Sequence, residues 1–131
     1  MSELDGLFSD ENKMIDGLLR QRLEPLVGLS RDSDRIVAKP PFLKLSYRGK
    51  LVTYLAARHA MVRAGIPGAT LEVEAPKAAQ HTFVPLPRCR EQLSRLKAKG
   101  LVESNEQGYF IPGSNLLVAL EELGEAPGSH N

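Results

Sequence analysis

Pro87-Arg88-Cys89-Arg90-Glu91-Gln92-Leu93-Ser94-Arg95-Leu96-Lys97-Ala98-Lys99-Gly100-Leu101-Val102-Glu103 is the stretch on which the fold turns. Cys89, Leu93 and Leu96 recur at i, i+4 and i+7, the spacing that lines one narrow face of an α-helix. The rest of the surface is polar or basic, with five Lys or Arg between residues 88 and 99. Pro87 can open the helix, because the N–H it lacks would be unpaired in the first turn anyway. Gly100 supplies a stop. Leu101-Val102-Glu103-Ser104 and Gly108-Tyr109-Phe110-Ile111 then read as two strands around a turn-rich tip, Asn105-Glu106-Gln107-Gly108.

Upstream, Ser46 is a plausible cap for a helix over residues 47–64, and Gly65 a plausible stop. Leu51, Val52, Leu55, His59 and Val62 form its apolar stripe, with Arg48, Lys50, Arg58 and Arg63 largely off it. Thr70-Leu71-Glu72-Val73-Glu74 alternates apolar and polar, as a short strand does. Pro76 can open a short helix through Thr82. An alternative pairs residues 71–75 with 81–86 as a hairpin and dispenses with that helix.

Farther out, Ile15, Leu18, Leu19, Leu23 and Leu26 predict an amphipathic helix capped at Ser9 or Asp10 and ended by Pro25. Residues 29–41 read as a linker, because the Ser/Asp cluster and the pair Pro40-Pro41 break regular structure. A last helix runs over residues 115–123, and residues 125–131 read as a disordered tail. The expected organisation is an N-terminal helix and linker over 1–41, a domain over 42–124 and the tail.

At 131 residues the chain suits one compact domain. Its 42% hydrophobic and 25% charged content is that of an ordinary globular protein, with aromatics at only 5%. No apolar run approaches the roughly 18 residues of a membrane span. The acidic start lacks the pattern of a secretory signal. The single cysteine cannot form an internal disulfide, so the expected compartment is a reducing cytoplasm. The net charge of +1 conceals segregation: −3 over residues 1–30, +9 over 31–102 and −5 over 103–131. A basic centre between acidic ends suits a polyanion-binding surface, or a globule whose ends fold back on its middle.

The order from residue 46 is helix, short strand, short helix, helix, hairpin, helix. It resembles the winged helix-turn-helix fold of bacterial and archaeal transcription regulators. Leu93-Ser94-Arg95-Leu96-Lys97-Ala98-Lys99-Gly100-Leu101-Val102-Glu103 looks like the end of a recognition helix and the first wing strand, as in relatives of the multiple-antibiotic-resistance repressors. Gly108-Tyr109-Phe110-Ile111 resembles the returning strand. Ala78-Ala79 resemble the small residues of the helix before it. The resemblance spans residues 43–123. It implies a mainly α fold with a small β-hairpin (α+β), a winged helix-turn-helix with an extra helix at each end. Two features depart from the family: the turn Phe83-Val84-Pro85-Leu86-Pro87 is apolar, and the hairpin tip has no Lys or Arg but carries Glu103 and Glu106.

An α-helix fits the major groove, and its N-terminal part meets base edges. The resemblance therefore implies base contacts by Arg88, Arg90 and Gln92, with Ser94 and Arg95 at base or phosphate. Glu91 would accept from cytosine or orient an arginine. Lys97, Lys99, Lys44, Arg48 and Lys50 would reach phosphates. The partner is double-stranded DNA, read by a homodimer that sets two such helices in successive major grooves. Either terminal helix could dimerise or pack on its own core. The alternative is a winged-helix adaptor that binds a protein partner. No catalytic motif is present, no histidine–cysteine spacing suits a metal, and no cofactor is implied. Cys89, on the apolar face, reads as a packing residue rather than a redox sensor.

Overall fold

Ser46 Oγ accepts a hydrogen bond from the Gly49 N–H at 3.0 Å and starts the central helix α3, Tyr47–Arg63. The computed structural model describes the backbone of residues 4–124 and the side chains of residues 12–124. Within it, every residue of α3 from 51 to 59 is buried. A helix buried on all sides is the middle of a domain rather than a surface element. Accordingly α1 (Leu4–Leu23), α4 (Ala75–Thr82), α5 (Leu86–Ala98) and α6 (Leu116–Gly124) all pack on it. The expected single stripe was too narrow: Arg58, placed off it, is 1% exposed, while Val62, placed on it, is exposed where the last turn leaves the core.

The terminal helices belong to this core. α1 starts at Leu4, so Ser9 and Asp10 lie inside the helix and do not cap it. Leu19 and Leu23 from α1, and Leu116, Leu120 and Leu123 from α6, are buried, and the two helices touch. A 3₁₀ turn, Gly113–Asn115, leads into α6. The tail, residues 125–131, lies outside the described residues.

Residues 29–41 are not a linker. β1 (Val27–Leu29) pairs antiparallel with β2 (Ile36–Ala38), matching Val27 to Ala38 and Leu29 to Ile36. The Ser/Asp cluster forms the hairpin loop, where the Asp32 N–H donates to Ser30 Oγ at 3.1 Å. Turn chemistry thus closes a hairpin instead of breaking the chain. Pro40 and Pro41 occupy the first turn of α2 (Pro40–Leu43), where a missing N–H costs nothing, and Phe42 is buried.

Beyond α3, residues 75–82 are helical, so the alternative hairpin does not form. Ala78 and Ala79 are buried, and α4 packs on α5. β3 (Glu103–Asn105) pairs antiparallel with β4 (Gly108–Phe110). Leu101 and Val102 precede the strand and fill the core instead. Of the expected strand over 70–74 only Val73 pairs. Its N–H donates to Tyr109 O at 2.9 Å and its carbonyl accepts from the Tyr109 N–H at 2.8 Å. The architecture is mainly α with small antiparallel hairpins, an α+β fold. Among the described residues no helix is long and apolar enough to cross a membrane.

Candidate nucleic-acid interface

Cys89, Leu93 and Leu96 are fully buried, as their spacing requires, and this fixes the orientation of α5. Arg88, Arg90, Ser94, Arg95, Lys97 and Lys99 are exposed, and Glu91 and Gln92 half-buried. Both ends of the helix are anchored. The Cys89 N–H donates to Pro85 O at 2.8 Å, and Cys89 Sγ approaches Ala75 O at 3.6 Å. Asn115 Nδ2 donates to Gly100 O at 2.9 Å and to Leu101 O at 3.1 Å, satisfying carbonyls just past the C-terminus. Lys97 Nζ donates to Ser104 Oγ at 2.7 Å and ties the helix to β3.

Glu91 stands between two of the arginines. It lies 3.7 Å from Arg88 Nη1 and 3.7 Å from Arg95 Nη2. The arginine side chains are 60% and 65% exposed, so these pairs are weak, of order 0–1 kcal/mol. A phosphate or a guanine edge can replace so loose a partner. Arg90 makes no ion pair among the described residues.

The three cations expected near the start of α3 separate. Lys44 is exposed just past α2. Lys50 Nζ sits over the Tyr47 ring, 5.7 Å from its centroid. Arg48 pairs with Glu122 on α6, so it bridges two helices rather than standing open for a phosphate. Arg48 and Lys99 line one shallow groove with Asn115 and Glu122. This second cluster therefore lies at the C-terminal end of α5, opposite Arg88. A helix of 13 residues separates the ends by about 20 Å.

The most elaborate polar arrangement was not expected. Buried Arg58 donates from Nε to Thr70 O at 2.7 Å, from Nη1 to Tyr54 Oη at 2.9 Å, and from Nη2 to Asp34 Oδ2 at 3.3 Å. Lys77 also pairs with Asp34. Tyr54 Oη, which accepts from Arg58, also shares a hydrogen bond with His81 Nδ1 at 2.8 Å. One buried cation thereby joins the β1–β2 loop, α3, the loop at Thr70 and α4. Tyr54 and Arg58 at i, i+4 was the available signal. Asp34, far off in sequence, left none.

The titratable groups follow these surroundings. Burial alone would raise the Asp34 carboxyl, but Lys77 and Arg58 together hold it below its ordinary value. Burial pushes the Tyr54 hydroxyl up to about 12 and the Cys89 thiol up to about 11. Burial lowers His59 and His81. His59 Nε2 donates to Ile111 O at 2.6 Å. A buried, protonated thiol is a poor redox sensor. Among the described residues no His, Cys, Asp and Glu group could hold a metal.

Two further features lie near the surface. Phe83, between α4 and α5, has φ +62° and is 65% exposed. A cavity of about 500 Å³ lies between α1, β1 and the end of α3, floored by Leu19, Leu23, Val27 and Ala60. Its rim cations are already engaged, Arg63 with Asp16 at 2.6 Å and Arg20 with Glu24 at 3.0 Å. Compared with family models, curated proteins and solved structures, the chain matches none of them.

Proposed function

We propose that the chain is a winged helix-turn-helix module that binds double-stranded DNA sequence-specifically as a small dimeric cytoplasmic regulator, with α5 in the major groove. The observation that carries this reading is the outward surface of α5: five exposed cations that, among the described residues, have no ion partner but Glu91 of the same helix. The order α3, Val73, α4, α5, β3–β4 supports it, since this is the order the resemblance implies. Arg88 and Arg90 at the leading end take guanine edges, which Arg can bridge through O6 and N7. Gln92 reads a neighbouring base and Ser94 and Arg95 lie at base or phosphate. Lys97, Lys99 and Lys44 take phosphates, with Arg48 and Lys50 as flanking charge. The buried stripes of α1 and α6 are occupied by their own core. The dimer of this reading therefore uses other surfaces, and exposed Leu117 and Val118 on α6, Val37 on β2 and Leu43 on α2 are among the apolar candidates.

The test is selection of bound duplexes from a random library, followed by titration at several salt concentrations. Arg88→Ala and Arg90→Ala should each lose about 1–3 kcal/mol on the selected site and relax discrimination. Two variants with undiminished specificity would overturn the assignment of α5. The second reading, an adaptor for a protein partner, is favoured by the exposed Glu103 and Glu106 on the β3–β4 hairpin. A minor-groove wing ordinarily carries basic residues. Failure to bind any duplex at low salt would select the adaptor.

A further inference from the structure

Phe83 occupies a backbone conformation that suits glycine or asparagine, and its ring faces solvent. The local chain does not need an aromatic there. The Phe83 N–H donates to Ala79 O and closes α4, which any residue can do. The next residue, Val84, supplies the apolar anchor of the turn: it is buried, and its N–H donates to Ala79 O at 3.2 Å. Left-handed residues that are not glycine concentrate at functional sites, where surrounding structure bears the strain. Position matters as well. Only Val84 and Pro85 separate Phe83 from the first residue of α5. At about 3.5 Å per extended residue its Cα is within roughly 11 Å of the start of that helix. The chain thus holds the exposed Phe83 close to the leading end of α5, where Arg88 and Arg90 are exposed.

We propose that Phe83 is an apolar specificity contact of the DNA interface, its ring packing on a thymine 5-methyl group at the edge of the major groove beside the bases met by Arg88 and Arg90. This rests on the reading of α5 as a DNA-binding helix. Thymine is the one base that presents a methyl group in that groove, and phenylalanine is a side chain that packs on it. Arginine reads hydrogen-bonding edges and leaves methyl groups unread, so the ring complements the cations rather than repeating them.

The experiment uses the full chain and the duplex selected by the unmodified protein. Each thymine is replaced in turn by uracil, which removes only the methyl group. One replacement should weaken binding about fourfold, the value of one buried methyl-sized group. Phe83→Ala should weaken binding to the thymine duplex about tenfold and become indifferent to that replacement, while responding normally to loss of any other base contact. Phe83→Asn controls for folding. It relieves the left-handed backbone, so its Tm should match or exceed that of the unmodified protein while its affinity falls as in Phe83→Ala. The proposal is overturned if Phe83→Ala binds at full affinity, or if it keeps the full sensitivity to every thymine-to-uracil replacement. In either case Arg88→Ala still losing affinity would leave the α5 assignment standing. A protein that binds no duplex overturns both. Loss of a protein partner by Phe83→Ala without loss of DNA binding would assign the ring to the adaptor instead.

Discussion

Arg58 and Asp34 lie twenty-four residues apart and meet through one hydrogen-bonded ion pair at 3.3 Å, with the guanidinium 1% exposed. Asp34→Asn removes the only carboxylate paired with that buried cation among the described residues. Leaving a buried charge uncompensated is costly, so we expect a loss of about 3 kcal/mol in urea-melt stability. Lys77→Met leaves the Arg58–Asp34 pair in place and should cost under about 1 kcal/mol, because Lys77 is largely exposed. Equal losses for the two variants would contradict the buried-pair account.

Acid should weaken the fold in two stages. His59 and His81 have native values below their unfolded value of 6.5. Below pH 6.5 the unfolded chain binds protons first, so stability is full above 6.5 and falls as the pH drops toward the native values. The depth of the decline follows how far each imidazole is lowered, and buried His59 should contribute more than the better-solvated His81. Asp34 adds a second decline below pH 3.8, because its native value is lowered too. Urea midpoints measured from pH 8 to 3 check this. The variant His59→Gln, His81→Gln should flatten the upper stage and leave the lower one.

Gly108 should tolerate no side chain. Its φ is +131°, and a Cβ there would stand 2.4 Å from the Val73 carbonyl. Gly108→Ala must therefore break the pairing of Val73 with Tyr109 or strain the hairpin, at a cost of about 2 kcal/mol or more. Gly113→Ala meets no atom within 4 Å and has an ordinary φ. It should be neutral to within about 0.5 kcal/mol by thermal or urea melting.

Glu122 restrains Arg48 at the groove shared with Lys99. On the DNA-binding reading, Glu122→Gln releases that guanidinium for a phosphate. The slope of log affinity against log salt should steepen by about one contact, and Lys97→Ala with Lys99→Ala should reduce it by about two. Unchanged slopes in both variants would remove these residues from the phosphate set.

Much of this was legible locally. The α5 face of Cys89, Leu93 and Leu96, the Ser46 cap, the Pro-opened helices and the Gly-ended turns depend on neighbours within a few residues. Periodicity and capping chemistry report those directly. Only the tertiary structure decided which apolar faces meet, and so that α1 and α6 close on their own core and that α3 is enclosed from residue 51 to 59. It also turned the segment at 29–41 from a linker into a hairpin, because Val27 and Phe42 find core to bury in. It reduced the strand at 70–74 to Val73, whose partner lies beyond two helices. Arg58 is the sharpest case. Nothing in its own neighbourhood balances a buried guanidinium, and the balance comes from Asp34 on a distant loop. Local sequence records the propensity of a segment, but the cost of burying a charge depends on what the whole chain brings beside it.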